Sequence, residues 1–358
     1  MMHPGSRDQR APSGHVLRED AIGLSLAAGL AAWIFFAATR TGGSAAGPIG
    51  LLSAVVLAYG VARLTAARWK AVPVAAIVTG AAILAVFSWS DLTSDHPLAG
   101  PLGYENANAA FFVQAMVAAM VLGSTSASKV IRSVAAAAAV LFAAVPFIAG
   151  STAAAVSALA VLVIGSLAIL GWWRSWMIGV LVAGLLAVLL GTVLLGDSYA
   201  PRPEGSPGFV EESLSETRFA LWHDALELTR RHPGTGVGVG RFSVASPVAA
   251  ADPDRRHAHQ EYLEMAAETG VVGGLLLVAS VVWAVLRTGL RGGIGATLAA
   301  AGVTLLGIHA CIDYVLHFPI IPITSAVLAG AVTAEGRSAA SDRSNHPSVP
   351  LEHPSPTE

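Results

Sequence analysis

Ten stretches of roughly 20 residues run through this chain almost without an ionisable side chain, and a helix of that length spans the hydrocarbon core of a bilayer. They fall near residues 21–39, 49–67, 72–89, 107–123, 130–149, 152–170, 176–195, 271–287, 294–312 and 314–334. In lipid, a continuous apolar run satisfies its backbone groups internally only as a helix. A strand of an outer-membrane barrel would instead alternate over about ten residues. The expected fold is therefore all-α, a polytopic membrane bundle of about ten transmembrane helices. Composition agrees, with 54% hydrophobic and 12% charged residues, where a soluble domain carries about 25% charged. The run at 107–123 is the weakest, because Gln114 interrupts it, and the closely spaced pair 294–312 and 314–334 admits other divisions.

Basic residues orient these spans. Arg7, Arg10 and Arg18 precede the first; Arg63, Arg68 and Lys70 lie between the second and third. Lys129 and Arg132 follow the fourth, Arg174 the sixth, Arg287 and Arg291 the eighth, and Arg337 and Arg343 sit in the tail. If the spans alternate, all share one side, while the short loops of the other hold only Arg40. The positive-inside rule then puts both termini in the cytoplasm. The first run lacks a small-residue cleavage site before Thr41 and reads as a retained span. Cys311 is the single cysteine and cannot close an intrachain disulfide. Abundant Ala, and Arg in excess of Lys, match a high-GC bacterial genome.

The chain divides into a cytoplasmic tail (1–20), seven transmembrane helices (21–195), a large extracytoplasmic loop (196–270), three more helices (271–334) and a disordered tail (335–358) rich in Ser, Pro and His. The loop carries folding signals. "PRPEGSPG" (Pro201–Gly208) is flexible, and Ser213 with Glu216 forms a capping box that opens a helix to about Arg231. Pro233 and Gly234 end that helix. Its apolar face comprises Leu214, Leu221, Trp222, Ala225 and Leu228, and Arg218 lies on the same face, where it must find an anion or snorkel.

"HAHQEYLEMAAETGVVGG" (His257–Gly274) reads as a second loop helix. His257, Glu261, Glu264 and Glu268 fall on one stripe, expected to be a wet acidic face, and His259, Tyr262, Leu263 and Ala266 on another. His257-x-His259 with Glu261 and Glu264 has the residue types of a metal site. On a helix, however, positions i and i+2 point apart, and the H-E-x-x-H spacing is missing, so no metal is expected. Asp252-Pro-Asp254 imitates a nucleotide-sugar motif but suits an acidic surface loop, and "GTGVGVG" follows a helix end rather than a strand, which argues against a dinucleotide site.

Four segments in this order resemble the O-antigen ligase and polymerase superfamily of bacterial membrane glycosyltransferases. His259, Gln260, Gly270 and Gly273 are similar to the ligase pattern H-[N/S/Q]-x9-G-x-x-G, extended by Tyr262, Leu263 and Glu268. Arg218–Phe242 resembles the family's R-x(3)-W segment followed by P-x-x-G-x-G-x-G-x-F. Gly103–Phe112 resembles a G-x-x-N-x-N segment, and His309–Pro319 a late H-x(3)-D segment that ends in proline. The resemblance covers about residues 90–334. Two departures stand out. The family usually has about twelve spans, and the arginine of its S-R-G segment, implicated in handling lipid pyrophosphate, is absent from Gly150–Thr152.

The resemblance implies metal-independent transfer of a glycan from an undecaprenyl-pyrophosphate donor to a glycan or lipid acceptor hydroxyl, as in surface polysaccharide synthesis such as that of lipopolysaccharide. It implies no cofactor and no nucleic-acid partner, with lipid-facing chemistry at the outer side of the cytoplasmic membrane. The implied catalytic residues are His259 and Arg218, and the implied substrate-binding residues are Arg241, Asn106, Asn108, Gln260, Glu268, His309 and Asp313. A pyrophosphate leaving group suits arginine, and an acceptor hydroxyl suits a histidine base. Plainer roles compete: a helix salt bridge for Arg218, a packed and hydrogen-bonded ring for His259, a helix cap for Asn106 or Asn108. If helix continues through them, His309, Asp313 and His317 share one face, and ionisable groups at membrane depth are functional candidates. A transporter or flippase for lipid-linked saccharide, or a noncatalytic glycan-binding homologue, are the alternatives. A transporter would place polar groups at midplane in several spans, where few occur here.

Overall fold

The computed structural model describes residues 14–94, 100–171, 175–199, 214–252 and 255–334. The expected flexible stretch Pro201–Gly208, the Ser213 cap and the C-terminal tail lie outside the described residues. Among the described residues every regular element is helical. The first four helices are α1 (Gly14–Thr41), α2 (Ala46–Arg68), α3 (Val72–Phe87) and the short α4 (Trp89–Leu92). Next come α5 (Glu105–Thr125), α6 (Lys129–Ile148), α7 (Thr152–Ile169), α8 (Ser175–Ser198) and α9 (Leu214–Arg231). Then follow α10 (Phe242–Ala245), α11 (Pro247–Ala251), α12 (Glu261–Gly289), α13 (Ile294–His309) and, after a 3-10 turn at Val315–His317, α14 (Ile320–Thr333). Helices α1, α2, α5, α6, α7, α8 and α12 are long and apolar enough to cross a membrane. The shorter apolar helices α3, α13 and α14 stand where the sequence puts the third, ninth and tenth spans.

The weakest apolar run forms the centre of the bundle. Helix α5 packs against α3, α6, α7, α13 and α14 and is buried on almost every face. Gln114 is not an interruption: it is 1% exposed and donates through Nε2 to the carbonyl of Gly302 on α13 at 3.1 Å. A Cβ at Gly302 would meet the Val117 methyls at 3.1–3.2 Å, so the α5–α13 crossing is too close for a larger residue to fit without displacing Val117.

Helix α12 joins the loop to the membrane and bends at Gly270, whose φ of 81° and ψ of 173° are not helical. Left-handed backbone of this kind is glycine territory, and here space demands glycine too, since a Cβ would stand 2.2 Å from the Gly234 carbonyl oxygen. The glycine-rich segment after α9 lies against this bend. Val237 N–H donates to Ala267 O, Gly238 N–H to Glu268 O, and Val271 N–H to Pro233 O. The segment therefore satisfies carbonyls that the broken helix leaves open, rather than cradling a phosphate. Trp33 of α1 donates to Thr269 O at 2.8 Å and ties the first span to the same bend.

Two further clusters fix the ends. Beside the bend, Leu221, Trp222 and Ala225 of α9 pack with Phe242, Ala249, Ala258, Leu263 and Ala267, a small core that holds the loop helices on α12. At the far end, Arg287 is buried and pairs with Glu19 at 3.1 Å and Asp20 at 3.1 Å, while Asp20 also binds Arg63 and accepts from the Tyr59 hydroxyl. These contacts join α1, α2 and α12.

Candidate active site

His259 is not on a helix. Helix α12 begins two residues later, because Gln260 adopts extended backbone and its Oε1 caps the Leu263 N–H at 2.7 Å. His259 has φ of 51° and is the one non-glycine residue with positive φ among the described residues. Such backbone costs energy and needs outside support. Trp222 gives part of it, donating its indole N–H to the His259 carbonyl at 3.2 Å. The R-x(3)-W spacing of α9 thus serves two ends: the tryptophan holds the histidine backbone, and the arginine one turn earlier reaches the histidine's partner.

That partner is Asp313. Helix α13 stops at His309, the chain turns through Cys311 and Asp313, and the carboxylate comes out facing α5, α9 and the α12 start. Its Oδ1 is 3.0 Å from His259 Nδ1 and accepts from its neighbour Tyr314 N–H at 2.8 Å. Its Oδ2 accepts from Tyr104 Oη at 2.7 Å and Asn106 Nδ2 at 2.6 Å. Arg218 Nη2 stands 3.8 Å away. Burial alone would raise the Asp313 pKa, but the His259 hydrogen bond and charge, the Arg218 guanidinium and the Tyr104 hydroxyl outweigh it and hold the carboxyl at about 2. Burial, Asp313 and the hydrogen bond to it push the Tyr104 phenol far up, so Tyr104 donates at any working pH.

An ionised Asp313 can only accept, so His259 Nδ1 carries a proton whichever form the ring takes, and in the neutral form Nε2 carries the lone pair. Burial does not seal this ring. The His259 side chain is 19% exposed and that of Arg218 29%, whereas Asp313 is 1% exposed. The result is an oriented imidazole backed by a buried carboxylate, with a guanidinium beside it.

Other candidates stand elsewhere. Asn108 is buried and accepts from Leu102 N–H at 3.1 Å, shaping the loop before α5. Gln260 is the α12 cap described above, and its Nε2 donates to Thr192 Oγ1 of α8. Glu268 accepts from Gly240 and Phe242 N–H at 2.8 and 3.0 Å, which fastens the loop before α10. Arg241 donates to Thr41 O at 3.1 Å and lines an open cavity of about 330 Å³ with His232 and Gly236. His309 is buried one turn before Asp313, and its Nε2 has no hydrogen-bond partner among the described residues. The expected shared face of His309, Asp313 and His317 does not form, because helix ends at the first of them.

The acidic stripe is not wet. Glu261 is 6% and Glu264 4% exposed. His257 lies in the segment before α12, stacks on Tyr314 with ring centroids 4.5 Å apart, and places Nδ1 2.8 Å from Glu264 Oε1. His317, from the 3-10 turn, pairs with Glu261 at 3.2 Å and Glu264 at 3.6 Å. Burial disfavours the charged form of His317, yet Glu261, Glu264 and Glu268 prevail and push its pKa up to about 10. The helical spacing of the glutamates is as expected, but the turn after α13 folds over them and buries Glu261 and Glu264.

Sequence reasoning missed Tyr104 and Tyr314. Tyr104 stacks on Tyr314 at 4.9 Å and on Phe318 at 5.7 Å, and Tyr314 meets His259 edge-on at 4.8 Å. The one available signal was position: Tyr104 adjoins Asn106 in the G-x-x-N-x-N segment, and Tyr314 follows Asp313.

Residues 115–278 match the family model described as O-antigen ligase. No curated protein matches the sequence. The match takes in α9, the glycine-rich segment and His259, while Tyr104, Asn106 and Asp313 lie outside it. That match supports the resemblance to the O-antigen ligase and polymerase superfamily over those residues.

Proposed function

We propose that the chain transfers a glycan from an undecaprenyl-pyrophosphate donor to an acceptor hydroxyl at the outer face of a bacterial cytoplasmic membrane. The observation that carries this reading is the 3.0 Å contact between His259 Nδ1 and the ionised, buried Asp313. It leaves His259 Nε2 as a base for the acceptor hydroxyl. The acceptor oxygen then attacks the anomeric carbon, and the bond to pyrophosphate breaks with its electron pair on the phosphate oxygen. The proton rests on His259, where Asp313 stabilises the imidazolium, and later passes to water.

Arg218 touches Asp313 through one nitrogen, which leaves other donors of its planar fork for the leaving pyrophosphate. Tyr104 and Asn106 position Asp313 and touch no reacting atom in this scheme. The base, its partner and the anion-holding cation are all side chains, so the bond-making step needs no metal ion. Arg241 and the cavity beside it suit a more distant part of the donor or acceptor.

The test is reconstitution in lipid vesicles with undecaprenyl-pyrophosphate glycan and a panel of glycan and lipid acceptors. Product that depends on His259 and Arg218 is expected. Undiminished product from both His259→Ala and Arg218→Ala overturns the assignment, and a wild type inert across the panel favours a noncatalytic glycan-binding protein.

A further inference from the structure

We propose that His257, Glu264 and His317 form a site for one divalent cation of the zinc class, separate from the His259–Asp313 pair. Their ligating atoms all lie within 4.8 Å of one another. His257 Nδ1 is 2.8 Å and His317 Nε2 3.6 Å from Glu264 Oε1. Zinc bonds of about 2.0–2.2 Å in a tetrahedron put neighbouring ligand atoms roughly 3.4 Å apart, so side-chain shifts of about 1 Å complete the set.

The surroundings orient each ligand. Glu261 Oε2 takes the Nδ1 of His317 at 3.2 Å, which turns Nε2 toward the cluster. This is the carboxylate–histidine–metal arrangement that fixes tautomer and ring direction at metal centres. Glu264 Oε2 accepts the Ala258 N–H at 2.7 Å, leaving Oε1 toward the two rings. Stacking on Tyr314 at an interplanar angle of 19° holds the His257 ring.

Ligand chemistry and access select the ion. Two imidazole nitrogens and one carboxylate suit zinc, whereas magnesium and calcium prefer all-oxygen sets. Two buried carboxylates close together also call for compensating positive charge, which a divalent ion supplies more fully than a ring proton. The His317 and His257 side chains are 42% and 29% exposed, so an ion has a route in and the fourth position stays open. A bound ion would tie the segment before α12 to the turn after α13. Those two segments also carry His259 and Asp313.

The helical divergence of positions i and i+2 does not apply to these histidines in the fold. His257 and His259 are not on a helix, and they diverge: His259 goes to Asp313, and His317 takes its place beside His257.

The test uses full-length protein in lipid nanodiscs, purified without a histidine tag, stripped with EDTA and titrated with Co2+ and then Zn2+. We expect one Co2+ per chain with visible ligand-field absorption that Zn2+ displaces, and a higher unfolding midpoint when the ion is present. His317→Gln and Glu264→Gln should lose the equivalent, the absorption and the ion-dependent rise; His232→Ala should keep all three. Where either variant fails to purify as a monodisperse particle, His257→Asn serves in its place. No bound equivalent in the wild type, or an equivalent that survives these substitutions, overturns the site. The readouts are independent of glycan transfer, so they stand or fall apart from the proposed reaction.

Discussion

His259 Nδ1 and Asp313 Oδ1 meet at 3.0 Å across 54 positions of sequence. The contact joins the end of the large loop to the turn between the last two apolar helices. One side brings a ring on strained backbone, the other a carboxylate with three further hydrogen bonds. Neither group is placed by its own helix, so the pair depends on several elements at once.

Removing one donor from Asp313 should grade the function rather than abolish it. Tyr104→Phe deletes the hydrogen bond to Asp313, together with the one the hydroxyl accepts from Asn106, which keeps its own bond to Asp313, and it keeps the ring stack. The lost donor is worth about 1–1.5 kcal/mol and hence roughly a tenfold loss of initial transfer rate. Asn108→Ala is the control, because its side chain caps a loop and does not touch Asp313. It should lower the unfolding midpoint and leave the rate of the folded fraction near wild type. Equal rates in wild type and Tyr104→Phe would remove Asp313's donors from the account.

Asp313 also makes stability depend on pH in a defined direction. Its folded pKa of about 2 lies below the ordinary 3.8. The carboxylate's contribution is therefore complete above about pH 4 and is lost as pH falls from there toward 2. The difference corresponds to roughly 2 kcal/mol. Unfolding midpoints of the wild type and Asp313→Asn should differ at pH 6 and converge near pH 2. Parallel curves would show that the ionised carboxylate adds no stability.

Local chemistry was legible in the sequence, and long-range pairing was not. The apolar runs mark the membrane helices directly. Gln114 misled because a polar residue in such a run reads as a defect, while its partner, the Gly302 carbonyl, lies 188 positions away. His259 is visible through a motif, but the motif continues the helical pattern backward through it, and only the Gln260 cap and left-handed backbone place it off the helix. The end of α13 was hidden for a related reason: no glycine or proline follows His309 until Pro319, so nothing in the intervening residues announces the turn. The glutamate stripe had the right period, and its burial depends on a segment some 50 residues later.

The bend in α12 makes a sharper stability claim. Gly270→Ala meets both a left-handed φ and a backbone oxygen at 2.2 Å. It should lower the unfolding midpoint by several degrees or prevent folding, a cost well above the ~1 kcal/mol typical of single substitutions. Gly240→Ala tests conformation alone, with φ of 73° and nothing within 4 Å of the added carbon, and should cost less. Equal losses would mean that close approach of the glycine-rich segment plays no part.

The central claim is that His259 and Asp313 act as one unit, and a double-mutant cycle on transfer rate in reconstituted vesicles tests it most directly. His259→Ala should reduce the rate by about 10²–10⁴-fold, and Asp313→Asn by a large fraction of that. The double variant should be no slower than His259→Ala alone, because the carboxylate acts through the ring. Losses that multiply in the double variant would contradict the account.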